Sequence, residues 1–138
     1  MIKRFICALA VLFTFVACNK PDNEVKLDIT GDWQISRIDV KSTALGGVTI
    51  DVYLRFEADQ SFQIYQMLGS GRYRVYSGTW KLEDNVLTGK YNDGKAWGAS
   101  YIVSREGDTL TLTSQTSSPE TDTYKRTSIP KTVIDTAE

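Results

Sequence analysis

Histidine is absent from the 138 residues, and cysteine occurs only as Cys7 and Cys18. Without an imidazole the chain can build no Ser-His or Cys-His nucleophile, no histidine-bound zinc and no histidine-ligated haem. Basic residues are not in excess: 16 Lys and Arg stand against 17 Asp and Glu. The electrostatic footprint of a nucleic-acid-binding protein is therefore missing. No apolar run approaches the roughly 20 residues that cross a bilayer as a helix. Gly69-Ser70-Gly71 lacks the length and the following helix of a phosphate loop. From Gly31 onward no stretch carries apolar residues at i, i+3, i+4 and i+7, so helices are not expected there.

What the chain does have begins at its N-terminus. Lys3 and Arg4 precede an apolar run from Phe5 to Ala17. As a helix that run is roughly 20 Å long, short of the roughly 30 Å hydrocarbon core, which marks a signal-peptide core and not a span. It ends in Phe15-Val16-Ala17-Cys18, followed by the polar Asn19-Lys20-Pro21-Asp22-Asn23-Glu24. This resembles the bacterial lipobox, with Val16 and Ala17 fitting the pattern and Phe15 standing where leucine is usual. The resemblance implies a signal peptide over 1–17, an acylated Cys18, a tether over 18–30 and attachment to the outer membrane, with the periplasmic face preferred. Stable attachment takes more than one acyl chain. The alternative is an ordinary cleaved signal with an incidental cysteine. Cleavage before Cys18 removes two of the 16 basic residues and takes the net charge from −1 to −3. It also discards Cys7, leaving a lone cysteine, which is explained if it carries lipid.

Between Gly31 and Pro130 the sequence reads as eight short β segments, one per roughly 12 residues, the spacing of a sandwich or barrel. The clearest is Val48 to Glu57, where Val48, Ile50, Val52, Leu54 and Phe56 alternate without exception with polar residues or Tyr53. Phe62, Ile64 and Leu68 continue the alternation on a third segment. In Asp32 to Ser42 the phase slips near Ser36 and Arg37, as a β-bulge produces. A second slip is expected in Arg72 to Leu82, with Tyr73 and Val75 inward, then Trp80 and Leu82 inward on the other parity, and Gly78 at the bend. Val86 to Tyr91, Trp97 to Ser104, a segment marked by Leu110 and Leu112, and Thr121 to Ser128 complete the set. Residues 131–138 are expected to be a loose tail.

The connections after the second, fourth and sixth segments are tight, and the others are longer or richer in glycine and serine. In an up-and-down meander this places tight turns at one end and roomy loops at the other. Eight antiparallel segments hide their outer edges most directly by closing into a barrel, an architecture that can hold one small ligand; an open sandwich is the alternative. Gly31-Asp32-Trp33 matches the Gly-x-Trp signature of lipocalins, and Arg126 in Tyr124-Lys125-Arg126 stands where lipocalins place an arginine across that tryptophan. The chain thus resembles the short lipocalin-like lipoproteins of Bacteroidetes-type bacteria. The resemblance implies an all-β, eight-stranded up-and-down barrel over 31–130, with Trp33 and Arg126 stacked at its closed end.

Candidate chemistry is sparse. Glu83-Asp84 and the pair Glu106 and Asp108 sit at tight turns, where acidic residues are good turn formers. Asp22-Asn23-Glu24 lacks the glycine and closing glutamate of a calcium loop. Arg72-Tyr73-Arg74-Val75-Tyr76 interleaves basic and aromatic residues, but strand alternation accounts for it. No metal, cofactor or catalytic residue is expected. The candidate ligand-binding residues are those facing inward near the glycine-rich end: Ile50, Val52, Gln66, Leu68, Tyr73, Tyr91 and Trp97. The expected role is a membrane-anchored monomer that binds a small hydrophobic molecule and not an enzyme. The rival is a protein-interaction or protease-inhibitor barrel of the cell envelope with no ligand cavity.

Overall fold

The computed structural model describes residues 26–38, 49–69 and 71–138. The segment expected to be a signal peptide (1–17), Cys18 and residues 39–48 lie outside them. Eight strands follow in chain order: β1 Gly31–Ile38, β2 Ile50–Phe56, β3 Ser61–Leu68, β4 Arg74–Glu83, β5 Val86–Tyr91, β6 Tyr101–Glu106, β7 Thr109–Ser114 and β8 Thr121–Arg126. Each pairs antiparallel with the next, and β1 pairs with β8, so the sheet is a closed barrel. Closure removes both sheet edges, which an eight-strand meander would otherwise expose.

Alternation decides which side chains fill the interior. On β2 and β3 the pairs Phe56–Phe62, Leu54–Ile64 and Val52–Gln66 lie on the inner face, and the pairs Tyr53–Tyr65 and Arg55–Gln63 on the outer. Trp33, Phe62, Leu87 and Leu110 are buried to within 1% of full enclosure and anchor one continuous core. Such burial is worth about 1.5–3 kcal/mol per large apolar side chain.

The bulge expected in the first strand is present. Ile35 faces Tyr124, but Arg37 faces Thr123, so Ser36 is the extra residue. Its hydroxyl donates to the Thr123 carbonyl at 3.0 Å, satisfying an acceptor beside the disrupted ladder. The slip expected in the fourth segment does not occur. From Ser61–Thr79 to Gln66–Arg74 the β3–β4 register runs without a shift, so Tyr76, Gly78, Trp80 and Leu82 share the inner parity and Val75 points out. Val75 is 36% exposed. The sixth strand begins at Tyr101, later than expected, because Trp97 folds back on β5: its amide donates to the Gly89 carbonyl at 2.9 Å.

Both flanks of the barrel differ from expectation. Leu27 and Ile29, read as tether, pack into the core at the end where β1 starts, and Ile29 is fully buried. The tail read as loose contains a helix, α1 Lys131–Thr136. Six residues are too few for a helix to persist alone in water, so packing must hold it. Ile129 and Val133 bury against the outward rings of Tyr53 and Tyr65. Beyond the helix, Glu138 exchanges backbone hydrogen bonds with Tyr73 and Val75 at 3.0 and 3.1 Å, adding a short extension to the start of β4. Val133→Asp would place an unpaired carboxylate in this seam. It should lower stability by about 2–4 kcal/mol, while urea unfolding of the variant stays a single transition.

Candidate functional site

The tight turns, residues 57–60, 84–85 and 107–108, gather at one end of the barrel, and Asp84 and Asn85 take the left-handed φ values of 49° and 63° that a two-residue hairpin turn requires. Trp33 plugs this end. The Arg126 guanidinium lies 4.2 Å from the indole centroid and that of Arg105 lies 5.5 Å from it. The Trp33 Nε1 donates to the Ile29 carbonyl at 2.9 Å, and the Arg126 Nη1 donates to the Thr30 carbonyl at 2.7 Å. Gly31 makes the stack possible. A Cβ there would stand 1.7 Å from Arg126 Nη1, and its φ of +122° suits only glycine. Asp32 completes the corner by accepting from Arg55 Nε and Nη2 at 2.8 and 3.0 Å.

The hydrogen bond from Arg55 holds the Asp32 carboxyl below its ordinary pKa of 3.8. A carboxylate with a lowered folded-state pKa stabilises the fold above its unfolded value, and that contribution is lost as pH falls through the folded value. Asp32→Asn should therefore cost about 1–2 kcal/mol at pH 7. The deficit should shrink below about pH 4, and a deficit of constant size across acid unfolding curves at pH 7 and pH 3 would refute this account.

The opposite end carries the longer connections, of which residues 39–48 and 70 lie outside the described residues. A groove of about 620 Å³ is lined there by Ile64, Gln66, Tyr76, Tyr91, Asp93 and Lys95 among others. Ile64 and Tyr91 also line a second space, an interior cavity of about 120 Å³ between Leu54 and Phe56 on one side and Trp97, Tyr101, Asp122 and Tyr124 on the other. The seam between β5 and β6 has only two register pairs, Val86–Ile102 and Leu87–Tyr101. Above it Trp97 takes the place of continuous strand pairing. Its ring lies over Gly89, where a Cβ would come within 2.1 Å of the indole. It meets Phe62 edge-on at 5.0 Å and Tyr101 at 6.1 Å.

The expected binding residues divide into groups: Gln66, Leu68 and Tyr73 line one groove of about 460 Å³ with Arg72, Arg74, Tyr76 and Glu138, apart from the others. Tyr91 and Trp97 line the interior cavity, and Gln66 also lines the groove of about 620 Å³. Val52 is core, Ile50 packs half-buried against it, and Leu68 is 57% exposed at the rim. Tyr73 is on the outer face: its ring packs 5.9 Å from that of Tyr53, its hydroxyl donates to Asp51, and it touches the α1 cluster. The error follows from placing a phase slip in β4 that is not there. Tyr76, Tyr124 and Asp122 were not among the expected residues, although unbroken alternation back from Trp80 and Leu82 points to Tyr76. Burial, then the nearby Asp122 carboxylate, raises the pKa of Tyr101 and of Tyr124, keeping both phenols neutral.

The described residues thus form a closed eight-strand barrel with a tryptophan plug at one end and a groove at the other. The sequence matches the family model of the lipocalin-like domain over residues 29–128, and the chain belongs to that family. Among solved structures it is similar to human cRBP IV, with 16% identity, a TM-score of 0.44, and coverage of 73% of this chain and 99% of that chain. No curated protein matches it.

Gly89→Val should drive the Trp97 indole off β5. The expected result is a red-shifted tryptophan emission with the barrel's β-sheet circular dichroism retained; an unchanged emission spectrum would show that the indole is not held against β5.

Proposed function

We propose that the protein is a lipid-anchored binding protein of the bacterial cell envelope that takes a small, largely apolar molecule at the end of its barrel opposite Trp33, without covalent chemistry. The observation that carries this reading is that a groove at the end of the barrel and a cavity of about 120 Å³ lie against the same two side chains, Ile64 and Tyr91. A barrel that served only to dock proteins needs no such space, and this favours the small-molecule reading over the protein-interaction one. The walls combine apolar and ring surface with a few polar groups, the usual make-up of a small-molecule site.

The lipobox-like sequence at Cys18 supports the anchor. Leu27 to Thr30 lie at the closed end, and the segment from Cys18 to Lys26 can extend at most roughly 30 Å. An anchor at Cys18 thus keeps the closed end near the bilayer and leaves the opposite end free to face away from it. Attachment to the outer membrane, on its periplasmic side, is the placement this reading takes.

Two measurements test it. In a bacterium with a lipoprotein pathway, the full chain should incorporate labelled palmitate, and Cys18→Ala should abolish the label and leave the signal segment uncleaved by intact mass. Label retained by Cys18→Ala would refute the anchor. Separately, the purified protein should bind one equivalent of the neutral fluorophore N-phenyl-1-naphthylamine. Tyr91→Ala should weaken binding by about tenfold, near 1.4 kcal/mol, while Tyr73→Phe on the outer face leaves it unchanged. Absent binding, or equal effects of the two substitutions, would refute the small-molecule reading.

A further inference from the structure

The run Arg72-Tyr73-Arg74-Val75-Tyr76 takes on a different meaning once the register of β4 is known. Without a slip in the strand, Arg74 has the inner parity of Tyr76. It lies opposite Gln66 of β3, which in turn lies opposite Val52 of β2. Arg72 comes two residues before the start of the strand and lines the same groove of about 460 Å³ as Arg74, Gln66 and Leu68. We propose that Arg72 and Arg74 hold the anionic head of an amphiphile, a carboxylate or phosphate monoester, whose apolar body lies along Tyr76, Ile64 and Tyr91. The inference rests on the reading of the barrel as a small-molecule carrier and specifies the class of molecule carried.

The groups at the groove suit such a head. A guanidinium offers a planar fork of donors that matches two oxygens of a carboxylate or phosphate. Residues two apart on an extended chain stand roughly 7 Å from each other, so both forks can approach one anion. The groove already receives a carboxylate from the chain itself, because Arg72 Nη1 pairs with Glu138 Oε1. The two side chains of that pair are 72% and 67% exposed. An ion pair so open to water stabilises little, and an incoming anion can take the place of Glu138 at small cost. Arg74, opposite Gln66, supplies a second fork beside it.

The inner face below these arginines changes character in a fixed order. Arg74 and Gln66 form one row, Tyr76 and Ile64 form the next, and the ring of Tyr91 then meets that of Tyr76 at 6.3 Å. Gln66 and Tyr76 line both the groove of about 460 Å³ and that of about 620 Å³. Ile64 and Tyr91 line both the latter and the interior cavity. Charge therefore gives way to amide, and amide to ring and aliphatic surface, along one line of side chains. A ligand with charge at one end and an apolar body at the other follows that line. Leu68 and Tyr76, 57% and 40% exposed beside the arginines, are apolar surfaces that such a body would cover.

The test uses the purified full-length protein in a non-ionic detergent at low salt, with protein-free titrations subtracted. Calorimetry compares four six-carbon probes: hexanoate, hexyl phosphate, 1-hexanol and hexylammonium. At least one of the two anions should bind about tenfold or more tightly than 1-hexanol, and hexylammonium should bind more weakly than the alcohol. The tighter anion tells a carboxylate head from a phosphate head. Arg72→Gln with Arg74→Gln should erase the anion preference and leave the affinity for 1-hexanol and the β-sheet circular dichroism unchanged. A 1-hexanol affinity equal to that of both anions would overturn the inference, as would an anion preference that survives in the double variant. Silence from all four probes while N-phenyl-1-naphthylamine still binds would also overturn it and leave the carrier reading intact. Silence from the fluorophore as well would remove both.

Discussion

The pairing of β1 with β8 is the constraint on which this molecule depends. Seven hairpin-like connections bring successive strands together locally, but the last ladder joins residues about 90 positions apart, such as Trp33 and Arg126. Closing that loop carries an entropic cost that nearby contacts must offset. They are concentrated at the ladder itself: the guanidinium of Arg126 covers the indole of Trp33 and also ties the chain to the Thr30 carbonyl. The Ser36 bulge sits further along the same ladder, and its hydroxyl supplies a bond where the regular pattern breaks. The Gly-x-Trp pattern thus has a mechanical meaning here, since the glycine vacates the space the arginine occupies.

Once closure is fixed, the two ends divide the work. The closed end is dense, with Trp33, Ile29, Leu87 and Leu110 fully buried. The other end carries the longer connections and is less completely paired, because β5 and β6 separate after two residue pairs. Space in the barrel interior follows from that separation. Trp97 fills part of the gap from a loop and not from a strand, which puts a large ring and an unpaired donor beside the cavity. The same feature that weakens the seam creates the site.

Much of the fold was legible because period-two patterns and turn residues are local signals. The second strand, the bulge near Ser36, and the division of tight and roomy connections all follow from sequence spacing. The Trp33–Arg126 stack was legible through the resemblance to lipocalins, and the structure bears it out. The misreadings share one physical cause, that apolar side chains do not label which side of the sheet covers them. Tyr73 and Val75 looked inward because they are apolar, yet the outer face of β2 and β3 is also partly covered, by α1. That helix could not be read from its own six residues, since its stability comes from Ile129 and Val133 meeting Tyr53 and Tyr65. The expected tether was misjudged in the same way: Leu27 and Ile29 alternate with polar residues, and the closed end of the barrel beside Trp33 gives them somewhere to go.

The site was less legible than the fold, and the reason bears on how such barrels acquire specificity. Which residues line an interior depends on the register between strands distant in sequence, and register sets the height of each side chain as well as its face. Asp122 reaches the cavity because it lies opposite Leu112 on β7, one inward step above Tyr124. A shift of one residue in that ladder would turn its carboxylate to the solvent and replace it with a threonine from either side. The lining of the chamber is therefore a property of the closing ladders more than of any local motif. A bulge such as that at Ser36, by resetting register between β1 and β8, can place different groups in the interior without altering the barrel that encloses them.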